Sequence, residues 1–239
     1  MKTQASPARH IKNSFFEAYV FGKKDLANVK IDADDETRRR HEKDFLSEYF
    51  NADPKNIFFL QQEHGDKIFH LNSNAADQNN NIYYGTGDAM FSENPDHILC
   101  IRTADCMPVF FGAKRDGRKL IGIIHAGWRG VKEEIIPKTL SMAGMTGYEI
   151  SDFSILAGPC IGGESYQVKE DVARYFKIKT KNPDNSYMLD LLKNAALQID
   201  KYQYTDKDFF DCTFSKNDIF YSHRKGDHER NLNVIIMRK

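Results

Sequence analysis

Two apolar runs, at residues 107–111 and 119–126, are joined by the linker Ala113-Lys-Arg-Asp116-Gly117-Arg118, and this pairing constrains the fold more than any other feature of the chain. Asp-Gly between two strand-like runs signals a tight hairpin, because the turn needs positive φ and these residues tolerate it. The two runs are therefore predicted to be antiparallel neighbours. Polar residues able to do chemistry bound them: Thr103-Ala-Asp105-Cys106 leads into the first, and His125-Ala-Gly-Trp128-Arg129-Gly130 ends the second. The hairpin thus brings Cys106 toward His125, and a sheet holds such strand ends rigidly enough to build a preorganised site.

The rest of the chain supplies strands and helices in mixed order. Residues 13–22, rich in Phe and Tyr, read as an opening strand. Asp34-Asp-Glu followed by Phe45, Leu46, Tyr49 and Phe50 reads as a helix whose acidic end faces its own N-terminal dipole and which stops before Asp53-Pro54. Residues 56–61 form a strand that runs into Gln62-Glu-His64-Gly65, where the glycine is expected to turn the backbone and leave the imidazole at the strand's exit. The Asn-rich residues 72–81 read as a surface loop. Gly85-Thr-Gly87-Asp88 is a tight turn in which Asp88 either points into a site or caps the turn.

Further along, residues 97–103 read as a strand and residues 131–142 as a helix, weakened by Pro137 and stopped by Gly144. Residues 153–157 form a strand ending in Gly158-Pro-Cys160-Ile-Gly-Gly163. Residues 168–176 and 188–201 read as helices, and residues 218–222 and 232–237 as strands around the charged turn His223-Arg-Lys-Gly226-Asp. With no internal repeat and no dividing linker, residues 1–239 are read as a single domain of α/β class, with mixed sheets flanked by helices and no regular Rossmann or barrel alternation.

Charge narrows the partner. Thirty-four basic side chains balance 34 acidic ones, so no net field draws the chain to nucleic acid or an anionic membrane, and a small-molecule substrate is expected. The N-terminal segment lacks the apolar core of a secretory signal, and no run approaches the roughly 20 apolar residues of a membrane span. Four cysteines, Cys100, Cys106, Cys160 and Cys212, stand far apart with no C-x-x-C pair. That pattern fits neither a disulfide framework nor a zinc ribbon, and the expectation is a soluble, reduced, cytoplasmic protein.

His64, Cys106 and His125 are the side chains to group. Each lies at or near the end of a strand-like run, and nitrogen plus thiolate is a ligand set that suits zinc, with three ligands leaving a fourth position open for catalysis. Two other readings use the same atoms. A cysteine in an apolar segment often serves as a small hydrophobe; alternatively, Cys106 beside Asp105 and a histidine is a thiolate nucleophile. Arg129, at the start of an expected helix, and Arg224 can address phosphate or carboxylate, or pair with acidic side chains. Trp128, the sole tryptophan, can stack on a flat heterocycle or simply pack.

Taken together, Gln62-Glu-His64-Gly65, Gly87-Asp88-Ala-Met, Thr103-Ala-Asp105-Cys106-Met-Pro108-Val, His125-Ala-Gly-Trp128-Arg129-Gly130, Gly158-Pro-Cys-Ile161-Gly162 with Tyr166-Gln-Val168, Asp211-Cys212-Thr213 and Tyr221-Ser222-His-Arg224 stand in a family's order. From about residue 15 onward the chain resembles the laccase-domain family, also called multicopper polyphenol oxidoreductase-like or purine nucleoside phosphorylase family. The resemblance implies a laccase-domain fold and zinc on His64, Cys106 and His125. It also implies phosphorolysis of adenosine, inosine and methylthioadenosine, together with adenosine deaminase activity. Some members are described as copper-dependent polyphenol oxidases, and some bacterial members are linked to editing of cell-wall precursors. Copper and a cell-wall hydrolase are therefore the alternatives.

Two departures stand out. Gly163-Glu164-Ser165 occupies a place where many relatives have cysteines, and Lys225 replaces an arginine, keeping the charge but losing a bidentate contact. The two reactions make different demands. Deamination needs a carboxylate to carry a proton, and Asp88, Asp105 and Glu63 are the choices; the usual zinc-deaminase signature H-x-E with P-C-x-x-C is absent. Phosphorolysis needs cations that hold phosphate in line, for which Arg129 and Arg224 are proposed with Arg102 behind them.

Overall fold

The computed structural model describes residues 6–29, 34–71, 82–200, 203–205 and 210–238. The Asn-rich segment 72–81 lies outside them. In chain order the strands are β1 (Arg9–Lys12), β2 (Phe16–Phe21), β3 (Ile57–Gln61), β4 (Ile68–Leu71), β5 (Gly85–Thr86), β6 (Ala89–Ser92), β7 (Ile98–Thr103), β8 (Met107–Arg115) and β9 (Arg118–Ala126). They continue with β10 (Phe153–Ala157), β11 (Gln167–Val168), β12 (Lys179–Lys181), β13 (Tyr187–Leu189), β14 (Gln203–Thr205) and β15 (Asn231–Met237). The helices are α1 (Asp35–Phe50), α2 (Trp128–Lys132), α3 (Ile135–Gly144), α4 (Glu170–Ala173) and α5 (Leu191–Ala196). Among the described residues no helix is long and apolar enough to cross a membrane.

Two six-stranded mixed sheets carry the fold, in the orders β1-β2-β15-β7-β3-β5 and β14-β10-β8-β9-β6-β4, and β11-β13-β12 make a small third sheet. Alternation along the strands sorts side chains into layers. Phe16, Ala18 and Val20 of β2 meet Phe110, Ile121, Ile123 and Met90 in a core between the two large sheets. Tyr19 and Phe21, on the other face of β2, pack with Leu46 of α1 and with Cys100, which is here a small buried hydrophobe. Val109, Phe111 and Ile124 face Val131, Ile135, Ile136 and Leu140 of α2 and α3 on the far side of the second sheet. The result is four layers, helix on sheet on sheet on helix, within the mixed α/β class expected.

The β8–β9 hairpin forms in the expected register, with Arg115 opposite Arg118 and Pro108 opposite His125. Asp116 at φ 50 and Gly117 at φ 80 supply the two positive-φ positions of a type I′ turn. The expected first helix is also present, capped by Asp34, whose side chain accepts from Thr37 N, and carrying Asp35 and Glu36 in its first turn. Inside it, Arg39 is fully buried and pairs with Glu42 and Asp35, while Arg102 of β7 reaches the same carboxylates at 3.3 and 3.7 Å.

Several expectations are corrected. The helix expected over residues 131–142 is two helices, broken where Glu134 adopts φ 59. Pro137 is the third residue of α3, inside the first turn, where its missing N–H leaves no intrahelical bond unmade. The helix over 168–176 shrinks to α4, because Val168 pairs with Tyr187 in the small sheet. The helix over 188–201 begins as β13 and turns helical only after Asp190, whose side chain accepts from Lys193 N. Residues 218–222 are not a strand. Asn231 takes the place of a neighbouring strand there, its Oδ1 accepting from Tyr221 N and its Nδ2 donating to Tyr221 O, while Ser222 N donates to Asp227.

Candidate metal centre and its cleft

Each proposed ligand is delivered by a different piece of local structure. The hairpin register that sets Pro108 opposite His125 and Met107 opposite Ala126 places Cys106, one residue before β8, beside the exit of β9. β6 pairs with β9 so that Ala89 faces Ile124, which sets Asp88 beside His125, and His125 N donates to Asp88 O at 2.7 Å. His64 arrives from the other large sheet. Gln62 locks the exit of β3 onto β7, its Nε2 donating to Arg102 O and its Oε1 accepting from Arg102 N, each at 2.8 Å. His64 itself takes φ 63, so the turn expected of Gly65 is made by the histidine one residue earlier.

The metal-competent atoms of His64, Cys106 and His125 lie within 4.8 Å of one another, and the two imidazoles meet edge to face at 4.7 Å. A tetrahedral site with the usual zinc bond lengths separates such atoms by about 3.5 Å. Closure of about an ångström would therefore bring them onto one ion. Gly127 keeps the space open: a Cβ there would stand 3.0 Å from Cys106 Sγ and 3.4 Å from His64 Cδ2.

Asp88 is fully buried and binds both histidine segments. Its Oδ1 accepts from His125 Nδ1 at 2.7 Å and from His64 N at 3.0 Å; its Oδ2 accepts from Gly65 N at 2.7 Å and Glu63 N at 3.3 Å. A carboxylate acceptor fixes the proton on Nδ1 and leaves Nε2 to face Cys106 and His64. Asp88 therefore neither caps its own turn nor opens into the cleft; it caps the His64 turn. Burial works to raise its pKa, and the His125 imidazole and the backbone amides outweigh that and hold it below the ordinary value. Burial likewise pushes the Cys106 thiol up, but His125 and then His64 bring it down to about 6. Burial opposes charge on His125 too, yet Cys106 and Asp88 raise it to about 9. The lowered thiol favours the thiolate, which is the form that ligates a metal.

These side chains line one end of a cleft of about 640 Å³. Trp128, half-buried, packs on the core and also lines the cleft, with the Arg129 guanidinium 4.8 Å from its ring centre. Tyr166, also lining the cleft, has the Arg224 guanidinium 5.3 Å from its ring centre. Both arginines are exposed, each over an aromatic wall. Asp105, at φ 83, directs its carboxylate away from the metal group: Oδ1 accepts from Thr213 Oγ1 at 2.6 Å and Oδ2 from Arg224 N at 2.7 Å. Arg102 borders the cleft but is committed to Glu42 and Asp35. Reasoning from sequence gave Tyr166 and Gln62 no role of their own; both stand in motifs quoted above, and no local pattern separates a cleft-lining tyrosine from a packing one.

A family model described as multi-copper polyphenol oxidoreductase laccase matches residues 20–238. The chain is 31% identical over 170 residues to a purine nucleoside phosphorylase of Borreliella burgdorferi, covering 70% of this chain and 68% of that protein. It is 29% identical over 167 residues to a purine nucleoside phosphorylase of Synechocystis, covering 58% of this chain and 62% of that protein, less than two thirds of its length. Its fold is similar to that of YlmD from Geobacillus stearothermophilus, with a TM-score of 0.79 at 21% identity over 98% of this chain and 100% of the other. The chain belongs to the multi-copper polyphenol oxidoreductase laccase family.

Proposed function

We propose that this protein is a zinc-dependent purine nucleoside phosphorylase that cleaves adenosine, inosine and methylthioadenosine with phosphate to free base and ribose 1-phosphate, and that it also deaminates adenosine. The observation that carries the reading is the convergence of two imidazoles and a thiol at the end of a cleft whose walls present two arginines over aromatic rings. That donor set fits zinc: soft sulfur, two nitrogens, and a buried carboxylate orienting one imidazole through its far nitrogen. Held there by His64, Cys106 and His125, zinc would supply a Lewis acid.

The chain's own residues divide the remaining work. Arg129 and Arg224 hold phosphate by charge-assisted hydrogen bonds and align it with the anomeric carbon. Trp128 and Tyr166 offer flat apolar walls to the purine. Asp88 fixes the His125 ring. Of the carboxylates weighed for the proton of deamination, Asp88 and Asp105 have both oxygens engaged, and Glu63 is not among the residues lining the cleft. Phosphorolysis is accordingly the better-supported half of the proposal, and the deaminase rests on the family resemblance.

A copper polyphenol oxidase is the rival suggested by the family's description. Reduction of oxygen by four electrons needs several coppers. Among the described residues one His/Cys/carboxylate group has ligand atoms close enough for an ion, and every histidine and cysteine of the chain lies within those residues. A single three-donor cluster favours one metal.

The deciding experiment is turnover of adenosine with and without phosphate on protein whose bound metal has been quantified. Adenine formed only with phosphate, on protein holding one zinc per chain, is the expected result, and inosine adds the deaminase. A blue-copper absorption band would move the reading to the oxidase. No turnover despite bound zinc refutes the nucleoside assignment and makes cell-wall precursors the next substrates to assay. Cys106→Ala protein that keeps both zinc and turnover would remove the residue assignment.

A further inference from the structure

Asp105 joins three segments of chain at the floor of the cleft. It precedes Cys106, its backbone carbonyl accepts from Ile161 N at 3.0 Å, and its carboxylate takes Thr213 Oγ1 at 2.6 Å and Arg224 N at 2.7 Å. The residue is 9% exposed and adopts φ 83, a backbone conformation unfavourable for a residue with a side chain. A carboxylate with both oxygens occupied by fixed donors is badly placed to ferry a proton. It is well placed to hold a loop.

The loop it holds is the short turn His223–Lys225 that carries Arg224. Other ties of that turn are of two kinds. Lys225 N and Gly226 N bond within the turn, to Ser222 O and His223 O. Arg224 and Lys225 also reach out by their exposed side chains: Arg224 Nη1 donates to Gln167 O at 2.7 Å with its guanidinium over Tyr166, and the Lys225 ammonium stands 4.0 Å from the Phe214 ring centre. The Asp105 bond is different in kind: it is made to the Arg224 backbone, by a side-chain carboxylate, from the residue adjacent to Cys106. Charge-assisted bonds of this sort are about twice as strong as neutral ones.

We propose that Asp105 is a positioning residue, which registers the Arg224 turn to the Cys106 strand end so that the Arg224 cation stands at a fixed place relative to the three metal-competent side chains. The consequence for anion binding rests on the phosphate reading given above; the positioning itself does not.

Two measurements separate these. Trypsin cleavage after Arg224 and Lys225, followed by mass spectrometry on folded protein, reads the turn without any ligand. Asp105→Gly removes both acceptors and suits φ 83, and Thr213→Val removes one partner while leaving the carboxylate. Cleavage at these two bonds is expected to quicken about tenfold or more in Asp105→Gly, as loss of the side-chain bond to Arg224 N releases a local segment, and to change less in Thr213→Val. Cleavage in the β8–β9 hairpin, after Lys114 and Arg115, should not change. Unaltered cleavage after Arg224 and Lys225 in folded Asp105→Gly overturns the proposal.

The second measurement titrates inorganic phosphate and follows fluorescence of Trp128, the sole tryptophan, which lines the cleft. Asp105→Gly and Arg224→Ala should each weaken phosphate binding, and the double variant should be no weaker than Arg224→Ala alone. Equal weakening by Asp105→Gly with and without the Arg224 side chain would overturn the registration. If wild type shows no response to phosphate, the phosphate assignment falls, and the trypsin result still decides the role of Asp105.

Discussion

Asp88→Asn is the substitution whose outcome follows most directly from the geometry. The wild-type carboxylate meets donors alone: His125 Nδ1 and His64 N at Oδ1, Gly65 N and Glu63 N at Oδ2. An asparagine amide must turn its NH2 toward one of these pairs. Facing the Oδ2 side, it confronts two backbone N–H groups. Facing the Oδ1 side, it confronts one, because His125, without a carboxylate to favour its charged form, can give up its Nδ1 proton and keep the one on Nε2. The second arrangement leaves fewer amides unpaired and is the one expected. It leaves at least one backbone amide without an acceptor, destabilising the metal-free protein by about 1–3 kcal/mol, which lowers Tm by about 2–4 °C per kcal/mol in a chain of this size. It also keeps the remaining proton on the nitrogen that faces Cys106 and His64, where an ion must displace it, and zinc affinity should fall about 10- to 100-fold. Competition against a chromophoric chelator gives the affinity, and calorimetry of chelated protein gives the stability. A variant with lowered metal-free Tm but wild-type zinc affinity would refute the tautomer argument; one unchanged in both would refute the hydrogen-bonding geometry itself.

Two glycine substitutions should differ in kind. Gly127→Ala puts a Cβ 3.0 Å from Cys106 Sγ, so zinc affinity should drop in the same chelator assay with little change in far-UV circular dichroism. Gly117→Ala meets nothing within 4 Å but keeps φ 80, so it should lower stability by about 1–2 kcal/mol in urea and leave metal affinity alone. At Asp227, Ser222 N, Asn217 Nδ2 and Lys23 Nζ donate to the carboxylate, and Asp227→Ala should destabilise by about 1–3 kcal/mol in urea unfolding. Burial raises the Asp227 pKa, but these donors hold it below the ordinary carboxylate value. With the folded pKa the lower one, the stabilisation is present above the unfolded pKa and fades as pH falls through the folded pKa. The difference between wild type and variant should therefore shrink in acid and persist at neutral pH.

The parts of this fold that are legible in the sequence are those decided locally. Asp116-Gly117 dictates its own turn, and the register of β8 and β9 follows, so the approach of Cys106 to His125 is implied by the residues of the hairpin themselves. The acidic start of α1 is readable for the same reason. His64 is not placed by any such rule: its position depends on the parallel docking of β3 on β7, a contact across about forty residues that only the family motif anticipates. Asp88 is left between two local roles by its own turn, and its actual partners are amides more than twenty residues away. The misread helices at 168–176 and 188–201 have apolar spacings that suit a short helix or a short strand equally, and pairing in the small sheet decides between them. Nothing in a helix full of charges marks Arg39, Glu42 and Lys43 as the buried ones; the pairing of Arg39 with Glu42 and the proximity of β7 are not local signals.

The four-layer stacking gives the proposed centre a mechanical character. His64 leaves the first sheet, His125 ends a strand of the second, and Cys106 lies on the three-residue crossing from β7 to β8 that carries the chain from one to the other. An ion held by all three would rivet the sheets together at one end of their shared seam, while Phe16, Phe58, Phe110 and Ile121 fill the seam behind it. The thickness of that aromatic filling sets how far apart the sheets stand, and so how widely His64 is spread from the other two donors. Trimming or enlarging a side chain far from the cleft thus becomes a screw adjustment on the coordination distance.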